Sequence, residues 1–266
     1  RHIINETTQF QALCFTIAKG TMFVAFEGTD DSMVGWHEDF DMMHTFPIPS
    51  QKLAMEYLNQ VITRKYHRVY VGGHSKGGNL AMTACMYLPF WKQHKVKQIY
   101  NNDGPGFRKE EYESKEFKRI EKKLHVIIPE SSVIGLLFYH KKDFQVVKSL
   151  GRGIYQHDLS NWLCYGAYFT PGTLTDEAKS QARRFSICFQ KYSYAKKKEF
   201  VNILFSLFKE CNMTVFSEVT NPKISKLIRL IHASRKLDKE SKELLIDMFS
   251  IVLNNKVASK NETIAS

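Results

Sequence analysis

Short apolar runs bounded by turn residues alternate, through the first part of the chain, with segments whose apolar residues return at helical spacing. The short runs predict six β-strands, at residues 10–18, 21–26, 68–71, 96–101, 124–128 and 144–148. The first two strands are close enough to form a hairpin at Lys19-Gly20. Helical periodicity occurs at residues 51–63, 78–88 and 108–122. This alternation predicts an α/β fold with a mainly parallel central sheet covered by helices.

From Leu174 onward the pattern changes to amphipathic helices alone. These are predicted at residues 176–192, 195–210, 222–235 and 239–254. Thr175, Asn221 and Asp238 are the expected N-caps, because their side chains can accept from the first backbone N–H groups of a helix. The sequence therefore predicts an α/β core at residues 1–173, lacking its N-terminal part, and a helical subdomain or tail at residues 174–266.

Composition narrows the class of protein. A hydrophobic content of 43% and an aromatic content of 13% are typical of a folded globular chain. No apolar run approaches the roughly 20 residues that span a bilayer. The five cysteines are an odd number without a C-x-x-C pair, which favours a reduced, cytoplasmic setting over a disulfide framework. A chain that opens on Arg1 shows no secretion signal and is expected to be a fragment.

The net charge of +11 comes mostly from the residues after Leu174. Such an excess can favour nucleic acid or an anionic membrane surface. No nucleic-acid motif accompanies it, and the lysines are spread along helices, so a solvated basic face is the favoured interpretation. Contact with an anionic membrane stays open as an alternative. Histidines and carboxylates do not cluster at ligand spacing, so no metal or other cofactor is expected.

The main chemical signal is Gly73-His74-Ser75-Lys76-Gly77, which stands between a predicted strand and a predicted helix. This is the G-x-S-x-G pattern in the strand–turn–helix context of a nucleophile elbow. Glycines flank the serine because a sharp turn leaves little room for Cβ atoms. A glycine-rich turn in another kind of α/β protein is the alternative. A phosphate-binding loop is less favoured because its G-x-x-x-x-G-K-[ST] spacing is absent.

A serine hydroxyl needs a base to take its proton and an acid to orient that base. In the chain order of α/β-hydrolases the base comes last, which leaves His140 and His157. His157 is favoured because it lies in a polar loop after the last strand, whereas His140 follows an apolar run and precedes two lysines. Asp103 and Glu130 both follow strands and precede His157, and Asp103 is slightly favoured as the acid.

Several segments resemble known families. Phe26-Glu27-Gly28-Thr29, Gly35-Trp36 and the Gly-His-Ser-Lys-Gly-Gly run resemble the class 3 lipases. A fuller resemblance is to a bacterial α/β-hydrolase family of unknown function, the Mbeg-like proteins. It rests on five motifs over about residues 10–169: EGTDDSMVGWHEDF, GGHSKGGNLA, NNDGPGF, IIPESSVIG and QHDLSNW. The resemblance implies an α/β-hydrolase fold.

The resemblance also implies roles for individual residues. Thr29 matches the hydroxyl residue of the lipase oxyanion hole, and Asp39 matches the carboxylate that orients this hydroxyl. Lys76, which follows the nucleophile, would supply the second oxyanion N–H group. His157, ahead of Trp162, resembles the lipase histidine.

One position departs from the lipase pattern. Where class 3 lipases have their acid, this chain has Ser131-Ser132. The resemblance therefore implies that the acid is either Glu130 or Asp103, the latter as in pancreatic-type lipases.

Together these features predict a serine hydrolase that cleaves a carboxylic ester of a lipid or a small acyl compound. Ser75 would be the nucleophile, His157 the base, and Asp103 or Glu130 the acid. The alternative is a non-catalytic binding module of the same fold, with a basic helical surface for anionic lipid or a protein partner.

Overall fold

The computed structural model describes residues 1–141, 143–151 and 153–253. Its main feature is a seven-stranded sheet in which the strands lie side by side in chain order. The strands are β1 (His2–Ile4), β2 (Gln9–Ala18), β3 (Thr21–Phe26), β4 (Arg68–His74), β5 (Val96–Asn102), β6 (Leu124–Pro129) and β7 (Gln145–Val147). The β2–β3 pair is antiparallel, and β3 to β7 are parallel. The predicted α/β fold with a mainly parallel sheet is confirmed.

The strands form where β-branched and large apolar residues alternate across the sheet. On β3, Met22, Val24 and Phe26 are all at most 2% exposed, while the residues between them are half-buried. All six predicted strands are present. β4 continues three residues beyond its predicted end because Gly72, Gly73 and His74 still pair with β5. β1 was not predicted.

Helices connect the parallel strands. They are α2 (Pro49–Val61), α3 (Lys76–Met86), α4 (Phe90–Gln93), α5 (Lys109–Tyr112) and α6 (Lys115–Ile120); α1 lies earlier in the chain. Every residue of α3 is buried, and it packs on β4 and β5. The single helix predicted at residues 108–122 is wrong. It divides in two because the Ser114 side chain accepts a hydrogen bond from the backbone N–H of Phe117 and starts a new helix there.

The described chain groups into two compact units. The first contains Arg1–Ile4, Phe10–Gly28 and Pro49–Ala182, and so holds almost the whole sheet. The second contains Asn5–Gln9, Thr29–Ile48 and the residues from Arg183 onward. The predicted boundary at residue 174 stays a prediction.

The second unit is helical. Its helices are α1 (Met33–Asp41), α8 (Tyr194–Glu210), α9 (Ser217–Thr220), α10 (Ile224–Lys236) and α11 (Lys239–Leu253), and α7 (Asp176–Lys191) leads into it. Helix α8 is central, since α1, α10 and α11 all contact it. Rings extend this packing: Trp36 stacks on Phe216 with centroids 3.8 Å apart. Helix α1 was not predicted.

Two of the three predicted N-caps of these helices are confirmed. The Thr175 hydroxyl accepts from the N–H of Ala178 at 3.2 Å, and the Asp238 carboxylate accepts from the N–H of Ser241 at 2.8 Å. The prediction for Asn221 is wrong, because α10 begins after Lys223. The predicted end of the last helix, Asn254, lies outside the described residues.

The strand register brings the ends of the parallel strands to one edge of the sheet. Phe26 pairs with Gly73, His74 with Asn102, and Asn102 with Ile127. Ser75 and Asp103 therefore follow the ends of neighbouring strands, and α/β folds place their chemistry at this edge. In the described ranges, no helix combines the length and the apolar character needed to cross a membrane.

Candidate active site

Ser75 occupies the turn between β4 and α3. Its φ of 56° and ψ of −132° put a non-glycine residue in a region that L-amino acids rarely adopt. Two backbone hydrogen bonds hold the turn: the Ser75 N–H donates to Asn102 O at 3.0 Å, and the Gly78 N–H donates to Ser75 O at 2.9 Å. Strain of this kind persists only where the surroundings over-determine the conformation, and it is concentrated at functional sites.

The glycines around Ser75 allow close backbone packing. A Cβ atom on Gly73 would overlap the backbone carbonyl of Gly77. A Cβ atom on Gly77 would overlap the backbone oxygen of Phe26 at the end of β3. The turn therefore accommodates glycine alone at these two positions, which is the steric reason expected for a nucleophile elbow.

Asp103 is a buried carboxylate at the end of β5, with 1% of its surface exposed. Its φ of 50° lies in the left-handed region, which Asp tolerates better than most residues. Oδ1 accepts hydrogen bonds from the Ser132 hydroxyl and, at 3.1 Å, from the N–H of Gly135. Oδ2 lies 2.7 Å from Nδ1 of His157. Both oxygens are thus engaged, which fixes the carboxylate in one orientation.

His157 ends the short 3-10 helix Gly153–His157, with 22% of its side chain exposed. Because the Asp103 carboxylate can only accept, the Nδ1 atom of His157 carries the proton of this hydrogen bond. In the neutral ring this leaves Nε2 as an acceptor, which is the tautomer that a general base requires. The structure thus brings the predicted base and one of the two predicted acids together.

Ser75 Oγ makes no hydrogen bond to the His157 ring within the ranges that the structure describes. Such bonds are often long in proteins without substrate and shorten when the substrate binds. The role of each of these residues stays a prediction.

His74, the residue before Ser75, supports the His157 loop. Its Nε2 atom lies 2.6 Å from the backbone oxygen of His157, and the two rings are 4.3 Å apart. A carbonyl oxygen only accepts, so His74 Nε2 is the donor. Burial, and next the nearby His157, lower the pKa of His74, which keeps it neutral near pH 7. The position of His74 directly before the serine was visible in the sequence. Its hydrogen-bond partner, the backbone of His157, could not be predicted from the sequence.

Glu130, the other predicted acid, is turned toward a different loop. Its Oε1 accepts from the N–H of Thr173 at 3.3 Å, and its backbone oxygen accepts from the N–H of Thr175 at 2.9 Å. Among the described residues it forms no hydrogen bond or ion pair with His157.

The Ser131-Ser132 pair directly follows β6 and Glu130. Ser132 donates its hydroxyl to Asp103, and the backbone N–H of Ser131 donates to the side chain of Gln156 at 2.9 Å. In the sequence, this pair indicated only that the acid had to lie at another position. In the structure Ser132 holds the carboxylate of Asp103, one of the two predicted acids, and Ser131 is bonded to Gln156 in the loop of the predicted base.

His140, the other candidate base, lies in different surroundings. Its Nδ1 is 3.3 Å from the backbone oxygen of Phe138, and its ring contacts Phe144. Burial lowers the pKa of His140, and the hydrogen bond to Phe138 opposes this only in part. These features suit a packed, neutral histidine.

The predicted oxyanion residues lie in two places. Lys76 is the first residue of α3, so its backbone N–H belongs to the first helical turn beside Ser75. Thr29 and Asp39 belong to the second unit, where the Thr29 hydroxyl donates to Asp39 Oδ2 at 2.5 Å. The expected orientation of the Thr29 hydroxyl by Asp39 is therefore present, and the oxyanion roles stay predictions. Across the described ranges, no three His, Cys, Asp or Glu side chains are grouped as metal ligands would be.

Comparison with known proteins places the chain in a family. Neither the curated proteins nor the solved structures compared with it include a match. A family model described as Mbeg1-like matches residues 2–206, which include the whole seven-stranded sheet, the Ser75 turn, Asp103 and His157. The resemblance inferred from the sequence motifs is confirmed at this level, and the chain belongs to the Mbeg1-like family.

Proposed function

We propose that this chain is a serine hydrolase that cleaves carboxylic esters of lipids or small acyl compounds. The observation that carries the proposal is the 2.7 Å contact between His157 Nδ1 and Asp103 Oδ2, at the sheet edge where Ser75 occupies a strained turn. A buried acid, an oriented imidazole and a serine at a strand–helix turn are the parts of a Ser-His-Asp triad.

In the proposed first half-reaction, the Ser75 Oγ attacks the ester carbonyl while His157 Nε2 takes the hydroxyl proton. The imidazolium is stabilised by Asp103, whose charge is held in place by Ser132 and Gly135. The tetrahedral intermediate then collapses. The C–O bond to the alcohol breaks, and His157 returns the proton to the departing oxygen.

In the second half-reaction, water attacks the acyl-enzyme. His157 takes a proton from this water as its oxygen bonds to the acyl carbon. The bond from that carbon to Ser75 Oγ then breaks, His157 gives the proton to Oγ, and the carboxylic acid leaves. The proposed oxyanion donors are the Thr29 hydroxyl and the backbone N–H of Lys76. One such donor contributes about 3–4 kcal/mol to transition-state stabilisation in comparable enzymes. A cytoplasmic location is part of the proposal and rests on the cysteine pattern of the sequence.

The experiment is labelling with a fluorophosphonate probe, together with hydrolysis of p-nitrophenyl esters of increasing acyl length. We expect wild-type labelling that is abolished in Ser75→Ala and retained in Ser206→Ala, which changes an exposed serine on α8. Labelling that persists in Ser75→Ala would contradict the assignment.

A second candidate function is a non-catalytic binding module. It is favoured by one observation, the lack of a hydrogen bond between Ser75 Oγ and the His157 ring in the described structure. This candidate predicts that the wild-type protein, with a folded circular dichroism spectrum, neither reacts with the probe nor hydrolyses any of the esters.

A further inference from the structure

Helix α10 exposes a continuous stripe of large apolar side chains. Ile224 is 78% exposed, Leu227 45%, Ile228 51% and Ile231 45%. Positions i, i+3, i+4 and i+7 lie on one side of an α-helix. Single exposed apolar residues are ordinary, but four in register on one helix face form an interaction surface. We refer to these four residues as the α10 stripe.

Another face of the same helix holds it to the second unit. Ala233 is 3% exposed, and Leu230 is half-buried. Lys226 donates to the backbone oxygen of Asn212 at 2.9 Å and pairs with Glu218 at 2.5 Å. Helix α10 packs on α8 through these contacts. The α10 stripe is therefore not the core-facing side of the helix, and packing against the described residues does not account for its apolar character.

Helix α10 and its first flanking residue carry cations that lack carboxylate partners among the described residues, and two of them, Lys223 and Arg235, adjoin the stripe. Lys223, Arg229 and Arg235 form no ion pair with any described residue, whereas Lys236 pairs with Glu210 at 2.5 Å. From Ile224 to Lys236 the helix contains no acidic residue. An apolar helix face with unpaired cations beside it is complementary to a surface that has an apolar interior and a negatively charged outer layer.

We propose that α10 docks in the plane of an anionic phospholipid bilayer. The α10 stripe would lie at the boundary between headgroups and acyl chains, and Lys223 and Arg235 would contact lipid phosphates. Arg229 lies about 150° around the helix from the stripe, so it would add only to the longer-range attraction to the anionic surface. A second copy of the chain fits less well, because pairing two α10 stripes would bring Lys223 and Arg235 of one copy against those of the other. The helix lies beyond residues 2–206, the region matched by the Mbeg1-like model. The surface does not depend on the hydrolase activity of Ser75.

The test measures binding of the full chain to large unilamellar vesicles by co-sedimentation. One set is pure phosphatidylcholine, and the other contains phosphatidylcholine and phosphatidylglycerol. We expect partitioning into the anionic vesicles to exceed that into the neutral ones by about 100-fold, since each of three cations near an anionic surface contributes roughly a factor of five. Raising the salt concentration should weaken binding. Equal binding to both vesicle types, or no binding to the anionic ones, would overturn the proposal.

Variants localise the surface. Ile228→Ser should weaken binding to anionic vesicles by about ten-fold, from the loss of one inserted side chain. Ile246→Ser, which changes a 68% exposed residue on α11, is the matched control and should bind as wild type does. Lys223→Gln/Arg229→Gln/Arg235→Gln should reduce anionic binding to the neutral level.

Two results from the variants would also overturn the proposal. One is unchanged vesicle binding by both the Ile228→Ser and the triple-Gln variants. The other is a wild-type dimer in light scattering that Ile228→Ser converts to monomer without changing vesicle binding. Because all of these side chains are exposed, circular dichroism should show a native fold for every variant, and ester hydrolysis in detergent-free solution should be unchanged.

Discussion

His74 donates from Nε2 to the backbone oxygen of His157 at 2.6 Å, so the residue before the candidate nucleophile holds the loop of the candidate base. A side chain adjacent to Ser75 in the sequence is thereby linked to the backbone of the candidate base. Fixing the backbone of His157 also limits the positions that its ring can take relative to Asp103.

His74 is therefore predicted to be a positioning residue. His74→Phe keeps the ring but removes the donor, and it should lower kcat about 3- to 10-fold, the equivalent of one hydrogen bond, with KM little changed. His74→Gln, which can still present an Nε2 donor, should recover part of the loss. The measurement is steady-state hydrolysis of a soluble p-nitrophenyl ester. A rise in KM at constant kcat would point instead to a substrate contact.

Substitutions of the two candidate acids are predicted to have very different effects on kcat. Asp103→Asn keeps the shape of the side chain but removes the charge and the acceptor for the proton on His157 Nδ1, so kcat should fall roughly 10³- to 10⁴-fold. Glu130→Gln should change kcat by less than about three-fold, because the one hydrogen bond that the Glu130 carboxylate makes among the described residues is to the backbone N–H of Thr173, away from His157. Comparable losses in both variants would be inconsistent with the assignment of Asp103.

Ser132 is predicted to stabilise the folded protein through the Asp103 carboxylate. Ser132→Ala removes a hydrogen bond to a buried charged group and should lower the free energy of unfolding by about 1.5–3 kcal/mol. Ser131→Ala is the neighbouring control. Its hydroxyl has only a 3.3 Å contact with the Thr175 hydroxyl, so its effect should stay under about 1 kcal/mol. Urea unfolding followed by circular dichroism gives both values, and a larger loss for Ser131→Ala would refute the argument.

Stability is predicted to fall as the pH is lowered through the ordinary range of histidine. Burial lowers the pKa of both His74 and His140 below 6.5, the ordinary value for histidine. Between those lowered values and 6.5 the unfolded chain binds more protons than the folded one, so acid favours unfolding. The urea midpoint should therefore decrease from pH 7.5 to pH 5.5.

Substitutions test the source of this pH dependence. His140→Phe removes one of these two half-buried imidazoles and should make the decrease in urea midpoint smaller. His232→Asn alters an exposed histidine on α10 and should leave the pH dependence as in wild type. An identical decrease in wild type and His140→Phe would exclude His140 as a contributor.

The strands and the Ser75 turn could be predicted because local sequence determines them. Runs of β-branched and apolar residues mark each strand, and Gly73 and Gly77 mark a turn in which neighbouring backbone atoms leave no room for Cβ atoms. The split of residues 108–122 into two helices was missed, although Ser114 is a good cap, because the charged periodicity continues across it. Local sequence patterns thus predict where a helix or strand lies better than they predict where one helix ends and the next begins.

The choice between Asp103 and Glu130 could not be made from sequence, because both follow parallel strands of the same sheet. The two carboxylates differ in their tertiary contacts. Ser132 and Gly135, which lie 29 and 32 residues further along the chain, hold the Asp103 carboxylate toward His157. The contact of His74 with the His157 backbone spans 83 residues and has no counterpart in any local pattern.

The order of the strands also bears on how the protein is made. Each strand from β3 to β7 pairs with the one that precedes it in the chain, so a polypeptide growing from its N-terminus can add one strand at a time to an existing sheet edge. The Ser75 turn and Asp103 come from consecutive strands, while His157 follows Asp103 by 54 residues. A chain that folds in this order would place the Ser75 hydroxyl and the Asp103 carboxylate before His157, the predicted base, has been translated.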